Sequence, residues 1–311
     1  MSGLYPIKFE YQLKEKIWGG EKLSTMFGKN SPSHSVGESW EVSGVPGSES
    51  VVLNGHLKGK TLTELLKTYK AELVGDKVFD AFQYDFPLLV KFIDAKADLS
   101  IQVHPNDELA QKRGHVRGKS EMWYICEADE GSSLITGFNR ELNKEEYLTL
   151  VEKGEIESVL NRELAEKGDA FYVPAGRIHT IGKGLLLAEI QQSSDVTYRV
   201  SDFGRKDADG NLRELHTELS VDALDFRTEK DFRISYQEAI GHVTNLVSNP
   251  YFVVNKVNLE NKITKDYILK SKNPVLFGSC FYSARKNDKP HNWEMISFKD
   301  NCLEEKFGSR N

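Results

Sequence analysis

Short segments in which apolar and polar residues alternate recur along the chain, and a few of them are apolar throughout. Alternation over about four to eight residues predicts half-buried β-strands, and a short apolar run predicts a fully buried one. These segments are 37–43, 87–93, 99–104, 121–126, 132–138, 170–173, 185–191, 197–201, 231–236, 251–258, 265–270 and 275–283. Because 121–126 and 132–138 follow each other closely, we expect these two strands to pair.

Apolar residues recur at helical spacing in two other segments, 61–81 and 143–166. Thr61 followed by Glu64 is the pattern of a capping box, which marks the start of a helix. Since strands dominate, the sequence predicts an antiparallel barrel or sandwich with two helical insertions. The composition shifts near residue 226, so we expect a first domain over 1–225 and a second, smaller C-terminal β domain over 226–311.

The overall composition narrows the possible partners. A formal net charge of −6 over 311 residues disfavours nucleic acid, which needs a positive surface. No apolar run approaches the length of a membrane span, and the first residues lack the features of a signal peptide, so we expect a cytoplasmic protein without a membrane partner. The 3 cysteines fit a reducing compartment and disfavour a disulfide framework or a thiolate metal site.

Residue types that bind metals occur at three places in the chain. On a strand over 99–104, Gln102 and His104 point to the same face. Glu121 stands at the head of an aromatic strand, and His179 follows a turn that contains proline and glycine. We expect these four side chains to converge on one divalent metal ion. Two imidazoles and two oxygen ligands suit zinc best, although manganese, iron or cobalt also accept them.

A single charged residue, Lys91, interrupts the apolar run 87–93. A lysine in a buried strand needs a carboxylate, a phosphate or an opening to water, because an unpaired buried ammonium is costly. On an edge strand it would instead reach solvent along its own aliphatic stem.

Two motifs indicate a family. The spacing of Gly168, Pro174, Gly176 and His179 is similar to the second motif of the cupins, in which glycine and proline shape a turn that brings a histidine into a barrel. Leu-Ser-Ile-Gln-Val-His-Pro at 99–105, Lys-Ser-Glu at 119–121 and Ser-Ser-Asp-Val-Thr-Tyr-Arg at 193–199 are more specific. Together with matching segments over most of 15–220, they resemble the type I mannose-6-phosphate isomerases in their short bacterial form.

This resemblance implies a cupin-like jelly-roll barrel and a zinc-dependent aldose–ketose isomerase. The reaction would interconvert mannose 6-phosphate and fructose 6-phosphate through an enediol(ate), in a monomer or weak homodimer with one Zn²⁺ per chain. The family's residues correspond to Gln102, His104, Glu121 and His179 as metal ligands, to Arg199, Asp195 and Lys119 as catalytic residues, and to Ser100, Lys91 and Arg205 at the substrate.

Two other functions fit the same residues in part. A catalytically silent cupin that binds a metal and a sugar phosphate would keep the ligands, but it would not need groups for acid–base chemistry or an enediolate. The presence of Arg199, Asp195, Lys91 and Lys119 together therefore favours the enzyme. A metal-dependent oxygenase would use two histidines and one carboxylate with open positions, but it would not need the cations at the substrate. The sequence also leaves the proton carrier open among Asp195, a metal-bound water, an imidazole and a lysine.

Overall fold

The computed structural model describes residues 3–31, 33–206, 209–237 and 242–259, and four strands beyond them. Within this part, no helix is long and apolar enough to cross a membrane. The chain forms two compact units: one comprises Tyr11–Trp40 and Leu88–Ile234, and the other comprises Met1–Glu10, Glu41–Pro87 and Ser235–Asn311. Each unit is made of segments that are not contiguous in sequence. The expected domain boundary at residue 225 therefore stays a prediction.

Two antiparallel sheets make up most of the first unit. In chain order, the strands are β1 (Gln12–Gly20), β2 (Val36–Ser43), β3 (Leu88–Ala95), β4 (Ile101–Val103), β5 (Glu121–Ala128), β6 (Ser133–Phe138), β7 (Leu160–Leu164), β8 (Ala170–Val173), β9 (His179–Ile181), β10 (Leu185–Gln192) and β11 (Tyr198–Ser201). One sheet has the order β1-β2-β3-β10-β5-β8 and the other has the order β11-β4-β9-β6-β7. The predicted mainly-β jelly roll is confirmed.

The apolar faces of the two sheets share a core. Trp123, Ile125 and Leu187 from the six-stranded sheet cluster with Leu134 and Ile181 from the five-stranded sheet, and each is almost fully buried. All eight residues of β10 are buried, which explains why the strand opens with four consecutive apolar residues, 185–188, instead of alternating. A polar side chain on the inner face of either sheet is therefore shielded from bulk water.

The prediction that 121–126 and 132–138 pair is wrong. β5 pairs with β10 and β8, whereas β6 pairs with β7 and β9 in the other sheet. A turn closed by the Ser132 N–H donating to Asp129 O (3.0 Å) joins them. This short connection passes from one sheet to the other instead of closing a hairpin, because each strand has an apolar face to bury in the shared core.

The first helical insertion is three short helices rather than one. The Thr61 and Glu64 capping box forms as predicted, with the Glu64 N–H donating to Thr61 Oγ1 (3.1 Å) and the Thr61 N–H donating to Glu64 Oε2 (2.8 Å). Positive φ angles at Lys70 (49°) and Gly75 (83°) interrupt the helical path. The helices are α2 (Leu62–Tyr69), α3 (Ala71–Val74) and α4 (Asp76–Phe82), preceded by the short α1 (Lys22–Thr25).

The helix predicted over 143–166 covers only the first part of that segment. Helix α6 spans Lys144–Glu152 and a 3₁₀ helix spans Ile156–Val159, after which the chain continues as β7. Gly154 has a φ of 71°, which ends the helical path. From Leu160 on, burial alternates, so this part has strand periodicity despite its helix-favouring composition. Helices α5 (Asp107–Lys112) and α7 (Thr217–Ala223) complete the set.

The remaining described strands belong to the second unit. Predicted strand 231–236 contributes only a bridge between Arg233 and Phe171, whereas the predictions at 251–258, 265–270 and 275–283 are confirmed. The strands are β12 (Val243–Ser248), β13 (Val253–Leu259), β14 (Asp266–Leu269), β15 (Phe277–Ser283), β16 (Asn292–Phe298) and β17 (Leu303–Lys306). They form a sheet of order β12-β13-β16-β15 and a β14–β17 pair.

Candidate metal centre

The register of the five-stranded sheet places three predicted site residues in one row. Arg199 on β11 lies opposite Gln102 on β4, and Gln102 lies opposite His179 on β9. Residues directly opposite each other in an antiparallel pair point to the same face, so these side chains are neighbours. Gln102 Nε2 accordingly lies 3.3 Å from His179 Nε2. The row is a product of strand pairing between segments that are distant in sequence.

A carboxylate from the facing sheet meets this row. Glu121, the first residue of β5, has Oε1 3.3 Å from His179 Nε2 and Oε2 3.5 Å from His104 Nε2. Ligand atoms of these three residues all lie within 4.8 Å of one another. Glu121 is 0% exposed, and both histidines are buried with it. The four predicted ligands therefore meet between the two sheets.

The hydrogen bonds of the two histidines fix their tautomers. His104 Nδ1 lies 2.8 Å from Val196 O, and His179 Nδ1 lies 2.7 Å from Arg177 O. A carbonyl oxygen only accepts, so each Nδ1 carries the hydrogen and each Nε2 presents a lone pair. Burial, followed by the charge of Lys119, lowers the pKa of His104 to about 3, and burial also lowers the pKa of His179, so both rings are neutral at pH 7.

The Nε2 lone pairs of His104 and His179 face the carboxylate oxygens of Glu121, which are also hydrogen-bond acceptors. Both oxygens of Glu121 are buried, and neither accepts a hydrogen bond of good geometry from the described residues. Burial raises the pKa of Glu121, but the charge of Lys119 is the largest opposing effect, and the pKa stays well below its ordinary value. Glu121 Oε1 and the lone pair of His179 Nε2 therefore face each other at 3.3 Å with no hydrogen between them. Lys119 Nζ, 3.1 Å from His104 Nε2, is a donor beside the other pair of atoms. A divalent cation satisfies both sets of atoms, so the residues fit a metal.

Buried side chains of alternating charge lead to this cluster. Lys91 Nζ lies 2.9 Å from Glu189 Oε1 and 3.6 Å from Glu38 Oε1. Glu189 Oε1 lies 3.9 Å from Lys119 Nζ, which in turn lies 2.9 Å from Glu121 Oε2. We call Glu38, Lys91, Glu189, Lys119 and Glu121 the buried charge ladder. Of the three partners that the sequence allowed for Lys91, the structure supplies carboxylates.

Comparisons with known proteins identify the family of this chain. Residues 7–153 match the family model for the phosphomannose isomerase type I catalytic domain. "Mannose-6-phosphate isomerase ManA" of Bacillus subtilis is 41% identical over 298 residues, covering 91% of each chain. A Streptococcus mutans mannose-6-phosphate isomerase is 39% identical over 292 residues, covering 91% of this chain and 90% of the relative. The chain belongs to the type I phosphomannose isomerase family.

Solved structures agree with this assignment. The crystal structure of the mannose 6-phosphate isomerase from B. subtilis superposes with a TM-score of 0.77 at 33% identity, covering 96% of each chain. A mutant of phosphomannose isomerase from Salmonella typhimurium superposes with a TM-score of 0.71, covering 94% of this chain and 93% of that chain. At 16% identity, this second likeness shows the shared fold alone. The predicted family, enzyme class and cupin-like fold are confirmed.

The other site residues expected of a type I phosphomannose isomerase differ in their contacts and exposure. The Ser100 Oγ–H donates to Gln102 Oε1 (3.5 Å). Arg199 donates from Nη1 to Glu214 O (2.8 Å), and its Nε is buried without a partner among the described residues. Asp195 is exposed between β10 and β11. Arg205 pairs with the Asp202 carboxylate. Their catalytic and binding roles stay predictions.

Three residues beside the cluster are absent from the set predicted from sequence: Glu189, Trp123 and Glu38. The register of β10 places Glu189 opposite both Lys91 and Trp123, and Trp123 Nε1 donates to Glu189 Oε2 (2.9 Å). A signal for Glu189 was present, since it is the one charged residue in the apolar run 185–190. Glu38 has no comparable signal, because its strand carries polar residues on both faces.

Glu38 makes the stability of this type I phosphomannose isomerase depend on pH. Burial raises its pKa, but Lys91 and Lys16 outweigh burial and lower it from 4.5 to about 2. A lowered pKa stabilises the fold above pH 4.5, and that stabilisation is lost as the pH falls toward 2. We expect the difference in unfolding free energy between wild type and Glu38→Gln to shrink by about 2 kcal/mol from pH 6 to pH 3. Urea unfolding of both proteins measures it, and a constant difference would contradict the prediction.

Proposed function

We propose that this chain is a zinc-dependent aldose–ketose isomerase that interconverts mannose 6-phosphate and fructose 6-phosphate through an enediol(ate). The relative named mannose-6-phosphate isomerase, at 41% identity, supports the substrate. The observation that carries the metal is the buried set of His104, Glu121 and His179, in which neither Glu121 oxygen has a hydrogen-bond partner among the described residues and Glu121 Oε1 faces the lone pair of His179 Nε2. The nitrogen and oxygen donors favour zinc, with Gln102 as the fourth ligand.

The reaction moves a proton between C2 and C1 and a second proton between the two oxygens. Zn²⁺ held by these residues would act as a Lewis acid on the sugar oxygens. Arg199, beside Gln102 and permanently charged, offers the N–H of its buried Nε to an oxygen on which negative charge develops. Because both sheets exclude bulk water from the cluster, these charges interact more strongly than they would in solution.

Lys119 is a basic side chain in contact with two of the proposed metal ligands and is not itself a proposed ligand. Its Nζ lies 3.1 Å from His104 Nε2 and 2.9 Å from Glu121 Oε2, and it is buried. An ammonium in this position holds a proton close to the sugar oxygens and can exchange it with them. Asp195, four residues before Arg199 on the exposed loop, is the second candidate for moving a proton.

The test is a coupled assay for fructose 6-phosphate formed from mannose 6-phosphate. We expect turnover by the protein as purified, loss of turnover after chelation, and recovery with zinc. Turnover that survives complete removal of the metal would contradict the metal's role. Binding of mannose 6-phosphate without turnover would instead identify a silent sugar-phosphate-binding cupin. Oxygen consumption with iron would identify an oxygenase.

A further inference from the structure

A buried hydroxyl group on β6 has no hydrogen-bond partner among the described residues. Thr136 is fully buried, and its Oγ1 neither donates to nor accepts from any of them. Its main chain is engaged, because Thr136 O accepts from Asn161 Nδ2 (3.3 Å). Burying a hydroxyl without a hydrogen bond costs free energy, whereas valine has nearly the same shape and carries no such cost. Packing alone therefore does not account for a threonine at this position.

The register of β6 directs this side chain to the inner face of the five-stranded sheet. Thr136 lies directly opposite His179 on β9, so both side chains point to the same face. Leu134, two residues earlier, also points there and packs in the core that the two sheets share. Ile135 packs in a separate cluster on the other face. Thr136 therefore extends the row that already contains Gln102 and His179.

The neighbouring imidazole does not satisfy this hydroxyl. His179 Nδ1 donates to Arg177 O (2.7 Å), and its Nε2 faces Glu121 Oε1. Residues directly opposite each other have Cβ atoms about 5 Å apart, so the Thr136 hydroxyl lies beside the proposed metal centre. A sugar whose reacting oxygens lie at that centre brings further hydroxyl groups next to them. A threonine hydroxyl can both donate to and accept from such a group.

We propose that Thr136 is a substrate-binding residue whose hydroxyl forms a hydrogen bond with a hydroxyl group of the sugar beside the reacting carbons. This inference rests on the proposed function. The free protein bears the cost of the unsatisfied hydroxyl, and the bound sugar removes that cost, so the difference contributes to affinity. Because the contact lies beside the reacting carbons and not on them, it binds the substrate and the transition state equally.

The test compares wild type with Thr136→Val and Thr136→Ser. Thr136→Val keeps the shape and removes the hydroxyl, so we expect KM for mannose 6-phosphate to rise about 3- to 10-fold with kcat little changed. The apparent dissociation constant from calorimetric titration with mannose 6-phosphate should rise by a similar factor. Thr136→Ser keeps a hydroxyl, so both constants should stay near the wild-type values. Metal content should be the same in all three proteins.

Unfolding by urea separates this role from a structural one. Because the Thr136 hydroxyl has no partner among the described residues, Thr136→Val should be at least as stable as the wild type in the absence of sugar. The matched control is Thr180→Val on β9. Thr180 is also buried, but its Oγ1 donates to Leu99 O (2.8 Å). This control should lose stability and keep the wild-type KM.

An unchanged dissociation constant in Thr136→Val would overturn the proposal, since the hydroxyl would then meet ordered water only. A loss of stability as large as that of Thr180→Val would also overturn it, because the hydroxyl would have a partner within the protein. If Thr136→Val does not fold, Thr136→Ala decides by the same measurements. Weaker binding by Thr136→Val, in a protein that does not turn over mannose 6-phosphate, would support this contact and contradict the isomerase alone. Absence of binding by the wild type would contradict both.

Discussion

Replacing Glu121 with Gln should remove the bound metal and lower turnover by more than about 100-fold, because loss of a ligand exceeds the 10- to 100-fold typical of a lost supporting contact. The carboxylate lies within 3.3–3.5 Å of both imidazoles and supplies the negative charge of the proposed set. An amide keeps the shape but withdraws that charge. Metal analysis of the purified protein and the isomerase assay, each with zinc added in excess, measure the two effects.

The control for this prediction lies on the same strand. Glu127 is also on β5, but its side chain is 32% exposed and pairs with Lys167. Glu127→Gln should therefore leave metal content and turnover at the wild-type level. If Glu121→Gln retained one metal ion per chain with full turnover, the ion would have to be held elsewhere, and the proposed centre would be wrong.

Lys91→Met should destabilise the fold by about 3–5 kcal/mol, because it leaves buried carboxylates without their counter-ion. Lys91 Nζ lies 2.9 Å from Glu189 and 3.6 Å from Glu38, and all three side chains are buried. These two carboxylates, against the cost of burial, hold the pKa of Lys91 above its ordinary value. Chemical denaturation of the variant and the wild type gives the difference in unfolding free energy.

A second substitution tests the cause of that loss. The double variant Lys91→Met with Glu189→Gln removes both the ammonium and the carboxylate that it neutralises. Because Glu189 is then no longer an unpaired buried charge, the double variant should be more stable than Lys91→Met alone. The more exposed ion pair of Lys167 with Glu127 provides the comparison. Lys167→Met should lower the free energy of unfolding by about 0.5 kcal/mol or less. A small loss for Lys91→Met, equal to that for Lys167→Met, would show that Glu38 and Glu189 do not depend on Lys91.

The sequence alone predicts the positions of most strands well, and its motifs single out four side chains that the structure brings together. The alternation and apolar runs place β3, β8 and β10 within one or two residues, and the motifs identify Gln102, His104, Glu121 and His179 before any pairing is known. These features are local, or depend on a motif that survives divergence. Which strands pair is not local, and for that reason the partners of β5 and β6 were predicted incorrectly.

The buried charge ladder was the harder part to predict. Lys91 showed that it needed a partner, but Glu189 and Glu38 become its partners only through the register of β3 with β10 and the packing of β2 beside β3. The helix predicted over 143–166 failed for a similar reason. Helix-favouring residues in β7 adopt a strand because β6 offers an unpaired edge, and such tertiary pairing overrides local propensity.

The partners that orient both imidazoles are main-chain oxygens, those of Val196 and Arg177. No side-chain replacement at these two positions deletes such an acceptor, so evolution can vary the residue types there as long as the route of the chain is kept. Inserting or removing a single residue in the connection from β10 to β11 is different. It would shift the Val196 oxygen that orients His104, and it would also shift Arg199 three residues later. One change in loop length would therefore disable the proposed metal centre and the proposed sugar contact together.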